Sequence, residues 1–264
     1  MQTKEEMEKA ILEAHQTLRS LMQEYHASGI GTVDELHYAY YYTPNKIIVE
    51  ELISELDCFY QKKNPSQKER QSAGYKLEEL ALAVFYGLRG WSSIKNYQSS
   101  TAQYDLLMSG SGLDWQTTLD LLPLSQSKSL SSVVVEAKAI KSSVSDAQFS
   151  RLCSIMQSNH KKTSVLGIFL TLNGASGFSS KKAQRKIGSS RLRQLIFYAE
   201  TSKPIVVLDI HDIRKLSENG SLLRIIERKI KDIEEQTGLP VFSEPSKEVL
   251  LPKNLEELYK KLDS

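Results

Sequence analysis

Apolar residues recur at helical spacing through the first sixty positions, then give way to short alternating runs interleaved with longer helical ones. Ile11, Leu12, His15, Leu18, Leu21, Met22 and Tyr25 follow an acidic first turn at the spacing of an amphipathic helix. Ser28-Gly29-Ile30-Gly31 ends that pattern, and Ile47 to Phe59 predicts a second amphipathic helix. Between them lies Tyr38-Ala39-Tyr40-Tyr41-Tyr42, whose rings suit the closure of a helical hairpin, a partner surface or stacking on bases. Lys62-Lys63-Asn64-Pro65-Ser66 has the composition of a boundary. From Gly74 the pattern predicts a helix over Tyr75 to Leu88, strands over Trp91 to Tyr97 and Gln103 to Met108, and a variable stretch from Ser109-Gly110-Ser111-Gly112 to about Ser131. A helix over Asp146 to Ser158, a strand over Val165 to Thr171, a helix over Lys181 to Tyr198 and a strand over Ile205 to Asp209 follow, with helices from Ser221 and Asn254 closing the chain. The expected fold is α/β, a mixed central β-sheet flanked by helices. Residues 1–65 read as an N-terminal helical accessory segment, and 66–264 as the main domain with its C-terminal helices.

One strand breaks its own pattern. Ser132-Val133-Val134-Val135-Glu136-Ala137-Lys138 reads as a buried strand, yet it ends in a carboxylate and an ammonium two residues apart. Side chains alternate along a strand, so Val133, Val135 and Ala137 point one way and Val134, Glu136 and Lys138 the other. Two charges at the end of an apolar strand are costly unless they meet each other, a metal or solvent.

Composition narrows the classes. At 264 residues, with 40% hydrophobic and 25% charged residues, the chain has the make-up of a globular protein with a full core. No apolar run approaches the roughly 18 residues of a membrane helix, and no signal-peptide core follows Met1-Gln2-Thr3-Lys4-Glu5-Glu6. Cys58 and Cys153 have neither zinc-site spacing nor disulfide density, so a reducing cytoplasm is the expected location. The net charge of +2 conceals an asymmetry. Residues 1–65 hold 11 acidic and 6 basic residues, residues 66–215 hold 20 basic and 11 acidic, and residues 216–264 hold 8 basic and 10 acidic. The basic region surrounds the charged strand and favours a polyanionic partner.

Asp105 interrupts the short apolar run Tyr104-Asp105-Leu106-Leu107, so neighbouring strands would bring Asp105, Glu136 and Lys138 together. Two carboxylates and a main-chain carbonyl suffice for Mg²⁺, or for Mn²⁺, and a lysine there can orient or deprotonate water. A plain ion pair explains the same residues without catalysis. On a helical projection, Leu77, Ala81, Val84 and Leu88 define an apolar arc with Glu78 at its edge and Glu79 nearly opposite its centre. Glu78 is therefore the acid expected to reach the sheet. Gln148 and Arg151 flank the apolar stripe of the following helix and can reach a phosphate, although Ser145-Asp146-Ala147-Gln148 also fits a capping box. Lys141 and the run Lys181, Lys182, Arg185, Lys186, Arg191 and Arg193 can grip a nucleic-acid backbone or form a solvated face.

Taken in order, these residues resemble the PD-(D/E)XK nuclease superfamily, and most closely its Mrr-like restriction endonucleases. The matching pieces are Gly74-Tyr75-Lys76-Leu77-Glu78, Asp105, Glu136-Ala137-Lys138, and the later strands Leu166 to Thr171 and Pro204 to Asp209. No proline precedes Asp105, and the Gly110–Ser131 connection has no counterpart in the pattern. The resemblance spans roughly residues 70–225 and implies a restriction-endonuclease-like fold. It implies metal binding by Asp105 and Glu136, water positioning by Lys138, assistance from Glu78, and products with a 5′-phosphate and a 3′-hydroxyl. The expected activity is a Mg²⁺-dependent endodeoxyribonuclease acting in restriction or anti-phage defence, with the N-terminal helices joining a second copy or a partner protein. RNA or a structured nucleic acid is the alternative substrate, and a non-catalytic scaffold that binds nucleic acid or protein is the alternative class.

Overall fold

The structure, a computed structural model, describes residues 3–27, 33–98, 103–124, 131–139, 142–176 and 189–237. Helices α1 (Lys4–Ala27), α2 (Val33–Tyr41), α3 (Lys46–Gln61) and α4 (Gln67–Tyr86) precede strands β1 (Ser93–Gln98) and β2 (Gln103–Gly110). Then come α5 (Leu113–Asp120), β3 (Ser131–Lys138), α6 (Asp146–Ser154), β4 (Ser164–Thr171), α7 (Ser189–Thr201), β5 (Ile205–Leu208), α8 (Ile210–Ile213) and α9 (Ser221–Thr237). The five strands lie side by side in chain order. β1, β2 and β3 form an antiparallel meander, whereas β3 pairs with β4 and β4 with β5 in parallel. Parallel neighbours need crossover connections, and α6 and α7 lie in those connections. The protein is α/β, with a mixed sheet flanked by helices.

The alternation in β3 assigns its residues to two cores. Val133, Val135 and Ala137 join a cluster with Leu56 of α3, Leu77 and Val84 of α4, and Ile226 of α9. Val134 joins a second cluster with Phe149 and Leu152 of α6, Phe169 of β4 and Phe197 of α7. An apolar strand covered on both faces is the usual centre of such a sheet. Charge enters it only near its end, at Glu136 and Lys138.

The expected division at residue 65 does not follow the core. Val49, Leu52, Ile53, Leu56 and Phe59 of α3 belong to the same cluster as α4 and the sheet. Tyr42, directly after α2, donates its buried hydroxyl to the Leu216 carbonyl at 2.5 Å. Asp57 accepts a paired set of hydrogen bonds from the Arg214 guanidinium. The tyrosine cluster works inward as well. Tyr38 and Tyr42 are buried, and the more exposed Tyr40 carries the Arg89 guanidinium 4.2 Å from its ring centre. These rings fasten α2 to the body of the fold.

Other boundaries also differ from the expected ones. α4 begins at Gln67 rather than Tyr75, because Ser66 and Glu69 form a reciprocal capping box that starts the helix with polar residues. The stretch after Gly110 contains α5, held by Trp115, Thr118 and Leu119. Gly90, at φ +83°, lets the main chain pass so close to Trp115 that a Cβ would lie 2.1 Å from its amide nitrogen. β5 stops at Leu208, since Asp209 turns to cap α8 by accepting from His211 N and Asp212 N. The helix after Asp146 changes at Ile155–Asn159 to a π turn. Of the helix expected over Lys181 to Tyr198, α7 covers the part from Ser189 and residues 181–188 fall outside the described residues, as does the helix expected from Asn254.

Candidate active site

β2 and β3 part company where the charged residues begin. The last paired positions are Leu106 and Val135, so Asp105 and Glu136 occupy the next step on the face carrying Leu107 and Val134. Instead of continuing the ladder through main-chain groups, Asp105 turns its carboxylate inward and accepts the Ala137 N–H at 2.5 Å. A charge-assisted bond of this kind fixes the acid's position and holds the fork between the strands.

Glu136 is 5% exposed. Its Oε1 accepts from the Lys138 ammonium at 2.8 Å, whereas Oε2 is buried and meets no hydrogen-bonding group among the described residues. Burial, in the main, pushes the Glu136 carboxyl above the ordinary glutamate range, and the negative field of Asp105 adds to it; Lys138 and Arg151 oppose the shift. A buried carboxylate with one unused oxygen is a costly arrangement in a resting protein and a suitable one for a cation.

Glu78 approaches from α4, on the other side of the strand ends. It lines a cleft of about 610 Å³ together with Gln67, Arg70, Gln71 and Gly74 of α4, Lys138 of β3, and the following Ala139 and Ser142. Burial raises the Glu78 carboxyl, with Asp105 raising it further and Lys138 lowering it, so the three groups lie within electrostatic reach. Glu79 is exposed and pairs with Lys76 at 3.0 Å. Among the described residues no three His, Cys, Asp or Glu side chains form a metal-binding group, so Glu78 does not complete a three-acid cage with Asp105 and Glu136.

The remaining expected residues divide. Gln148 serves α6 as the third residue of a capping box, its Oε1 accepting from Ser145 N at 3.0 Å and from Ser145 Oγ at 3.2 Å. Those bonds satisfy the helix start and fix the side chain through its amide oxygen, the role that the capping-box pattern implies. Arg151 is exposed on α6 and its charge is felt at Glu136. Of the basic run, Arg191 is buried against Asp232, Gln194 and Gln236, and Arg193 makes two 2.7 Å bonds to Asp146. Both arginines therefore join helices to one another. Lys141, Lys181, Lys182, Arg185 and Lys186 lie outside the described residues.

Comparison with protein-family models, with curated proteins and with solved structures finds no match. The reading of this site therefore rests on its own geometry. That geometry brings in residues that the hydrophobic pattern passes over. Gln67, Arg70 and Gln71 sit on the polar opening turns of α4, where no apolar periodicity marks a helix, but the Ser66-Gln67-Lys68-Glu69 capping signature does.

Proposed function

We propose that the protein is a Mg²⁺-dependent endodeoxyribonuclease of the PD-(D/E)XK kind, with Mn²⁺ as an alternative ion. The observation carrying this reading is the unused Oε2 of buried Glu136 beside the fixed carboxylate of Asp105. Two carboxylates on one face suit a hard cation with oxygen preference. Asp105 and Glu136 would hold the ion, which when bound supplies Lewis acidity toward a phosphate and acidifies water.

The chain's own groups have separate tasks in this reading. Lys138 donates to Glu136 at 2.8 Å and from that position would orient the attacking water. Glu78, with its carboxyl raised, lies on the cleft side, where it can exchange a proton with water. Arg70 lines the same cleft as Lys138 and adds a second cation suited to the backbone of a polyanion. A non-catalytic scaffold would use Glu136 and Lys138 simply as an ion pair, and the 2.8 Å contact is the observation in its favour. The unused oxygen and the convergent Asp105 weigh against it.

The deciding experiment incubates the purified protein with plasmid DNA, single-stranded DNA and structured RNA, with Mg²⁺ or with chelator, beside Asp105→Ala and Lys138→Ala. Metal-dependent cutting of DNA that both substitutions abolish is the expected result. Cutting of RNA alone replaces the substrate, and binding without cutting by all three proteins supports the scaffold.

A further inference from the structure

A second unsatisfied group lies beside Glu136. Thr171, at the end of β4, is fully buried, and its Oγ1 meets no hydrogen-bonding partner among the described residues. In the β3–β4 register, Glu136 stands opposite Phe169 and Lys138 opposite Thr171. Phe169 belongs to the α6-side core, so Thr171, two residues on, points to the same side as Glu136 and Lys138. Adjacent strands lie about 4.8 Å apart, which sets the hydroxyl beside the ion pair. The ring of Phe169 stacks on Phe149 at 5.4 Å, making the floor below Glu136 apolar. Neither ring can satisfy an oxygen.

Buried polar atoms without protein partners are usually satisfied by internal water, which makes about three hydrogen bonds. Here three groups stand at neighbouring register positions: a hydroxyl that donates or accepts, a carboxylate oxygen that accepts and an ammonium that donates. We propose that Thr171 is a positioning residue of this site, its hydroxyl and Glu136 Oε2 holding one water molecule beside the Lys138 ammonium. The inference rests on the nuclease reading for its catalytic meaning, but the water site itself does not. The hydroxyl fixes the side chains of Glu136 and Lys138 before any ion or substrate arrives, so that their rotamers need not be frozen during the reaction.

Two substitutions and two readouts test this. Thr171→Val keeps the branched shape and removes the hydroxyl, whereas Thr171→Ser keeps the hydroxyl. Calorimetric titration with Mn²⁺, without nucleic acid, reads the site directly, and steady-state cleavage reads its use. Loss of a group that orients metal ligands costs about 10-fold or more in metal affinity or activity. Thr171→Val is therefore expected to weaken Mn²⁺ binding about 10-fold and to lower kcat by a similar factor, with KM nearly unchanged and Tm no lower than wild type. Thr171→Ser should match wild type in both readouts. Equal behaviour of Thr171→Val and wild type overturns the inference, as does a Thr171→Ser variant as impaired as Thr171→Val. If wild type binds Mn²⁺ but cuts no nucleic acid, the nuclease reading fails while the affinities still decide Thr171. A wild type that binds no Mn²⁺ overturns both.

Discussion

Two acids in this protein are almost equally buried and do opposite things with their charge. Asp212 is 7% exposed and Glu136 5%. Asp212 engages both oxygens: Oδ2 accepts from Lys229 at 2.7 Å and from Asp209 N at 3.1 Å, and Oδ1 faces Arg228 at 3.4 Å. It closes the capping box of α8 and ties that turn to α9. Glu136 engages one oxygen with Lys138 and keeps the other unused, on a face shared with Asp105 and Thr171. Burial alone therefore does not mark a site. An acid fully satisfied by its own fold serves as structure, and one held half-satisfied keeps capacity for something that arrives from outside.

The largest expected difference between the two acids lies in activity. Glu136→Gln and Lys138→Ala are expected to lower Mg²⁺-dependent cleavage by about 10²–10⁴-fold, whereas Asp212→Ala should leave the turnover of the folded protein near wild type. Gel-based cleavage at matched folded-protein concentration measures both, and a strong loss in Asp212→Ala would erase the distinction. Stability should reverse the order. Asp212→Ala leaves Lys229 without its partner and opens the α8 cap, at a cost of about 1–3 kcal/mol in urea unfolding. Glu136→Gln removes an under-satisfied buried charge and should change stability by less than about 1 kcal/mol, or raise it.

A smaller effect has a defined sign in pH. Because burial raises the Glu136 carboxyl, the native state holds its proton more tightly than the unfolded chain does. Its contribution to stability is therefore full below the ordinary glutamate range and fades as pH rises through the raised value. Glu136→Gln should gain on wild type across that rise. Asp146 is the counter-case: hydrogen bonding from Arg193, above all, lowers its carboxyl. The Asp146 contribution is present above the ordinary aspartate range and lost as pH falls through the lowered value, so Asp146→Asn should lose ground to wild type toward neutral pH. Urea midpoints measured from acid to neutral pH decide both signs. The smallest effect belongs to Glu79, which is exposed and pairs with Lys76. Glu79→Gln should shift stability by less than about 0.5 kcal/mol and leave cleavage unchanged. Any marked loss there would show that α4 presents a different face to the substrate.

How much of this is legible in the chain depends on which force shaped each part. The strand around Val133 is legible because both faces are buried and its two charges stand out against valine. The choice of Glu78 over Glu79 as the cleft-side residue follows from helical angle alone, since the same apolar arc anchors α4. Polar starts and small docking contacts are harder to read. Gln67 to Ser72 carry no apolar period, and α5 is held by three buried residues, with Trp115 fitted against glycines. Arg191 and Arg193 read as part of a phosphate-binding run because sequence shows charge but not the Asp232 and Asp146 that meet it. Thr171 reads only as the end of a strand. Nothing in sequence separates a hydroxyl with a partner from one without.

The hydroxyl of Tyr42 reaches the carbonyl of Leu216 across 174 positions of chain. Gly220 N adds a second long-range tie, donating to the Tyr42 carbonyl at 2.9 Å. Contacts so distant in sequence close large loops and form late in folding. The consequence is one of timing. During synthesis, Tyr42 leaves the ribosome well before Leu216 and Gly220, so the end of α2 cannot complete its packing until they have followed. For that interval the Tyr42 hydroxyl and carbonyl lack the partners that fasten this end of α2 to the fold.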